Sequence, residues 1–183
     1  MKKLDLTNIS EAGESKRISA GAYICKFVGV EDIPEKEYLK IDFDVTDGEF
    51  KDYFKESAER LGSWPYGGSY RRSYKPTALP FFKRMCSAIS KSNGNFVFDG
   101  GQVNSDEKTL IGKRVGIILG EEEYIGNDGN VKVRTYVYSE KSVDDILKGN
   151  FKVPDLKKLP DEDIPEYKPE VTENTSNSSG LPF

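Results

Sequence analysis

GKRVGIILGEEEYIGNDGNVKVRTYVYS, residues 112–139, is the stretch on which the fold turns. Its two arms are apolar and β-branched, and Asn127-Asp128-Gly129 between them supplies the residue types that accept a tight reversal. The reading is a β-hairpin. Strand side chains alternate between faces, so Val131, Val133, Thr135 and Val137 fall on one face of the second arm. Lys132, Arg134, Tyr136 and Tyr138 fall on the other.

Upstream, Leu79, Phe82, Cys86 and Ile89 recur at three- and four-residue steps, which predicts a helix over Thr77 to Asn93. Pro80 is tolerated in its first turn, and Asn93-Gly94 supplies the stop. Nearer the start, AYICKFVGV (22–30) is apolar at nearly every position and reads as a covered strand. In YLKIDFDV (38–45) Leu39, Ile41, Phe43 and Val45 alternate with polar residues, the mark of a strand with one wet face. After the turn signal Asp47-Gly48, FKDYFK (50–55) alternates again and is expected to be a third strand. SAERLGSWPYGGSYRRSYKP (57–76) has no clean period and reads as a long exposed connection, while Val143 to Leu147 suits a short closing helix. The expected order is three strands, a helix and two strands. That is the order of a mainly β, five-stranded OB-fold barrel with one helix between strands 3 and 4.

Composition limits the function. The chain has 183 residues, no histidine and two cysteines, which excludes imidazole-based triads and histidine-ligated zinc, and leaves Cys25 and Cys86 as buried free thiols. No run approaches the ~20 apolar residues of a membrane span, so the expectation is an intracellular protein of the cytoplasm, in domains 1–160 (the folded body) and 161–183 (a flexible acidic tail). Residues 161–183 carry six acids against Lys168 alone, so of the net charge of −4 the tail contributes −5 and the body +1. From Arg60 to Phe98 there are seven basic residues and no acid. The overall acidity therefore does not oppose a polyanionic ligand.

Cations and rings interleave in WPYGGSYRRSYK (64–75). Trp64, Tyr66, Tyr70 and Tyr74 offer flat faces for unpaired bases, and Arg71, Arg72 and Lys75 offer charge for phosphates, the two needs of a non-specific single-strand binder. The plainer alternative is that the rings pack beneath the loop and the arginines are solvated. Lys132, Arg134 and Tyr136 add a second basic-aromatic stripe, and the tail ends in Leu181-Pro182-Phe183, an apolar triplet suited to a shallow pocket on a partner. The carboxylate run Glu121-Glu122-Glu123 leaves room for a metal-dependent nuclease, but runs of like charge in turns are usually solvated.

Three segments together, AGAYICKFVGVEDIPEKEYLKIDFDVTDGEFKDYF, SYRRSYKPTALPFFKRM and GKRVGIILGEEEYIGNDGNVKVRTYVYS, resemble the single-stranded DNA-binding proteins encoded by phages and prophages of Gram-positive bacteria. The terminal Leu-Pro-Phe is similar to the Pro-Phe end of bacterial single-stranded DNA-binding proteins, although here TENTSNSSG separates it from the acids. The resemblance implies an OB-fold, a homo-oligomer coating single-stranded DNA in phage replication and recombination, and a tail that recruits replication or recombination proteins. No enzymatic activity, cofactor or metal is expected. The alternative from another class is an adaptor that binds proteins alone through its tail.

Overall fold

The computed structural model describes residues 17–94 and 96–160. Expectations for the tail, Leu181, Pro182 and Phe183 included, lie outside the described residues. Five strands form one antiparallel sheet: β1 (Gly21–Ile33), β2 (Tyr38–Val45), β3 (Ser69–Ser73), β4 (Arg114–Ile125) and β5 (Val131–Lys141). Their spatial order is β3-β2-β1-β4-β5. Helix α1 (Tyr53–Leu61) lies between β2 and β3, α2 (Leu79–Ser92) between β3 and β4, and α3 (Val143–Leu147) follows β5. The sheet is mainly what the sequence led one to expect, but backbone pairing does not close it into a barrel, and β3 and β5 are its two edges. None of the described helices is long and apolar enough to cross a membrane.

Leu39, Ile41, Phe43 and Val45 of β2 are all buried as expected, but the alternation fails at Asp44, which is buried as well. Cys25 and Phe27 of β1 and Val115, Ile117 and Leu119 of β4 join them on the inner face, and Phe82, Met85 and Ile89 of α2 cover that face. The hairpin of β4 and β5 and the α2 helix stand where the sequence placed them. Cys25 is buried and Cys86 half-buried; both are free, and burial pushes the Cys86 thiol up to about 11.

The third strand is a correction. FKDYFK does not form a strand; from Tyr53 onward it is the first turn of α1. Phe50, Tyr53 and Phe54 follow a three-and-four step rather than alternation, and Glu56, Ala58, Glu59 and Arg60 favour helix. Gly62 ends the helix at φ 73°, its N–H donating to the Ala58 carbonyl. The three rings pack edge to face with Tyr23 and Phe43, so the segment is held to the core as a cluster of aromatic side chains. The strand that pairs with β2 lies instead within the expected loop, where Leu39 faces Arg72 and Ile41 faces Tyr70.

Asp44, buried on β2, ties α1 to the sheet. Its Oδ1 accepts hydrogen bonds from the Val45 and Phe54 N–H groups, each at 3.0 Å, and so satisfies a first-turn donor of a helix ten residues away. Burial pushes the Asp44 carboxyl above its usual range, against the pull of those N–H donors. A carboxyl that binds its proton more tightly folded than unfolded weakens the fold as it ionises, so this group's contribution falls as pH rises through the carboxylate range. Asp44→Ala should cost about 2–4 kcal/mol in urea denaturation, since two buried donors lose their acceptor. Asp44→Asn, which keeps an acceptor, should cost clearly less.

Candidate functional site

Each neighbouring pair of strands is antiparallel, so the edge strands β3 and β5 run in the same direction, facing one another across a seam. Two side chains bridge it. Arg72 of β3 donates from Nε (3.0 Å) and Nη2 (2.5 Å) to Oε1 of Glu140 on β5. Glu140 is fully buried and the Arg72 side chain is 14% exposed. Strict alternation from Val137 would turn Glu140 outward. A bulge prevents this: Leu119 pairs with Val137 and Ile118 with Ser139, so Tyr138 is the extra residue and Glu140 comes back to the inner face. Helix α2 packs against both edge strands.

The seam is open toward Ser69. There Trp64, Tyr66, Ser69–Arg71 and Thr135–Val137, with Lys40, surround a cleft of about 450 Å³. A second cleft of about 590 Å³ shares Tyr66, Gly67 and Thr135 with the first and is lined by Arg17, Arg60, Tyr124, Lys132 and Arg134. The two make one groove with six cations along it and, among the described residues, no acidic side chain in its lining. Two of these cations are partly engaged from outside the lining: Arg134 with Glu122 and Lys132 with Asp128, each at 2.8 Å. The hydrogen bond from Lys132 holds the Asp128 carboxyl down at about 2. Among the described residues Lys40, Arg60 and Arg71 have no carboxylate partner, and Arg17 donates to the Val133 carbonyl. Lys40 stands directly opposite Arg71 on β3 and Glu31 on β1, so a carboxylate flanks this cation pair from the far side of β2.

The rings differ in what they can do. Tyr66 is 74% exposed, and the Arg134 guanidinium lies 5.8 Å from its centroid and 5.0 Å from that of Tyr124. Trp64 is half-buried at the cleft wall, its indole N–H fixed on the Gly68 carbonyl at 2.9 Å. That contact needs glycine, because a Cβ at Gly68 would come within 2.8 Å of both the Trp64 indole and the Phe54 ring. Tyr70 points inward against Phe43, and burial, reinforced by the Glu140 charge, pushes its phenol well above the usual value. Tyr74 packs on Phe82 and donates to Asp32 at 2.8 Å, with burial and that bond taking its phenol to about 12. Arg71 is exposed beside the Tyr38 ring, 5.4 Å from its centroid, and Lys75 is exposed beyond the end of β3. Tyr136 lies over Gly120, where a Cβ would meet its ring at 2.9 Å.

The structure thus gathers Trp64, Tyr66, Arg71, Lys132 and Arg134 along one groove and turns Tyr70 and Arg72 into the interior. It adds Arg17, Lys40, Arg60 and Tyr124, which the sequence pattern did not single out. Lys40 was legible as part of the wet face of β2; its position opposite Arg71 required knowing where β3 lies. No family model and no curated protein matches this chain, so its functional reading rests on its own residues.

Arg72→Ala should cost about 3–5 kcal/mol in denaturant unfolding, because it strands a buried carboxylate. Arg72→Met combined with Glu140→Leu should recover much of that loss.

Proposed function

We propose that the chain is a non-enzymatic binder of single-stranded DNA with little sequence preference, of the kind encoded by phages. The observation that carries this reading is the groove of Arg17, Arg60, Lys132, Arg134, Lys40 and Arg71, without an acid in its lining among the described residues, interrupted by the rings of Tyr66, Trp64 and Tyr124. A single strand offers a phosphate chain and bare base faces, and this groove offers the complements of both. Duplex DNA hides its base faces, so the exposed Tyr66 ring would have nothing to stack on.

The fold is proposed to be an OB-fold whose last pairing is left unmade. Support comes from the strand order β3-β2-β1-β4-β5, the parallel run of β3 and β5, and a helix packed between β3 and β4. In this reading the Arg72–Glu140 bridge stands where backbone hydrogen bonds would otherwise close the barrel. The acidic segment 161–183 with its Leu181-Pro182-Phe183 end is proposed to recruit replication or recombination proteins, its charge keeping it off the strand.

Trp64 is the single tryptophan and lies in the groove, so oligo-dT should quench its emission. Each cation that neutralises a phosphate of a single strand contributes about 0.7 to the slope of log affinity against log salt. Lys40→Ala with Arg71→Ala should therefore lower that slope by about 1.4 and weaken binding at low salt. Unchanged emission together with no shift of a labelled oligonucleotide at low salt would refute the reading. Deleting residues 161–183 should leave strand binding intact or tighter, whereas a protein-only adaptor would lose every interaction.

A further inference from the structure

The seam between β3 and β5 is filled unevenly. At one end Arg72 and Glu140 join the strands and α2 packs against both. At the other, Ser69–Arg71 and Thr135–Val137 flank the cleft of about 450 Å³, within the range of about 300–1,000 Å³ typical of small-molecule sites. Two of its walls are therefore sheet edges. Every second residue of an edge strand turns its N–H and C=O away from the sheet, so apart from the Ser69 N–H, which donates to the Tyr66 carbonyl, these walls present backbone donors and acceptors that no neighbouring strand uses. Val137 packs on the core and supplies an apolar surface, and Trp64 supplies a flat ring whose orientation the Gly68 carbonyl fixes. Lys40 and Arg71, both exposed, complete the rim.

Edge hydrogen-bonding groups, a fixed ring and two cations at the rim are the complement of one nucleotide taken out of the stack. We propose that this cleft is an insertion pocket for a single nucleobase of the bound strand. The base lies against Trp64 and Val137, its edge faces the outward backbone groups of β3 and β5, and Lys40 and Arg71 hold the flanking phosphates. The rest of the groove differs in kind. Tyr66 offers an open ring, which any base can stack on, whereas a pocket that meets a base edge with fixed donors and acceptors discriminates among bases. The pocket thereby sets the register of the strand on the protein. This inference rests on the proposed single-strand binding and adds to it one site that distinguishes base from backbone.

The test uses the full chain and two strands of equal length, oligo-dT and a strand of abasic units that keeps only the sugar-phosphate chain. Thr135 lines the cleft and is half-buried, so Thr135→Phe fills the space where the base would sit. The ratio of oligo-dT to abasic affinity should fall about tenfold in this variant, within the range that one stacked base contributes. A ratio equal to that of the wild type overturns the pocket while leaving strand binding in place. Wild-type protein that binds neither strand overturns both. As a measurement independent of the variant's folding, 4-thiothymidine in the oligonucleotide should photocrosslink the wild-type protein at Trp64 or within residues 69–71 or 135–137. Crosslinks confined to other positions would reject the pocket.

Discussion

One buried ion pair settles how the two halves of this sheet meet. Arg72 and Glu140 come from the opposite edges of a five-stranded sheet, and Glu140 has no exposure to water. Taking both charges out of solvent costs several kcal/mol each before their attraction is counted, so the pair is better understood as fixing a geometry than as adding stability. It holds β3 and β5 at the spacing of a guanidinium and a carboxylate, wider than backbone hydrogen bonds allow. The bulge at Tyr138 is what makes it possible, since without the extra residue Glu140 would face outward. Everything on the Ser69 side of the seam, including the cleft, depends on this spacing.

Charge is sorted over the same surface. The groove draws its cations from the segment before β1, from β2, from the end of α1, from β3 and from β5, yet among the described residues its lining holds no acid. Of the acids that neighbour it, Glu122 and Asp128 pair with Arg134 and Lys132, Glu31 stands opposite Lys40, and Asp42 accepts from Ser69. A chain that is acidic as a whole can thus carry a locally cationic lining, because fields depend on where charges lie rather than on their sum.

Most of the sheet was legible, and the misses share a cause. β2 and α2 each bury a regular apolar pattern that period reveals, and the β4–β5 hairpin is revealed by its apolar first arm and its Asn-Asp-Gly turn. β3 buries Tyr70 and Arg72, and its polar sequence conceals a strand because the residue that satisfies Arg72 lies 68 positions away. FKDYFK misled for the opposite reason: six residues match both periods, and the helix is decided by the helix-favouring residues Glu56 to Arg60, by Gly62 and by the distant Asp44. At the candidate site, the run from Trp64 to Lys75 marked a segment that borders the groove but not which of its rings turn inward, since a bulge or a pairing register leaves no mark in composition. Arg17 and Arg60 reach the groove through tertiary packing, which no local pattern encodes.

The parallel run of β3 and β5 has a bearing on solubility. A sheet edge is a template for any passing strand, and an open five-stranded sheet has two of them. Here the two edges look at each other across a gap plugged at one end by α2 and rimmed by cations at the other, so a foreign chain meets a narrow, like-charged slot instead of a free border. The opening is thus poorly shaped for the cross-chain pairing that would glue two copies together.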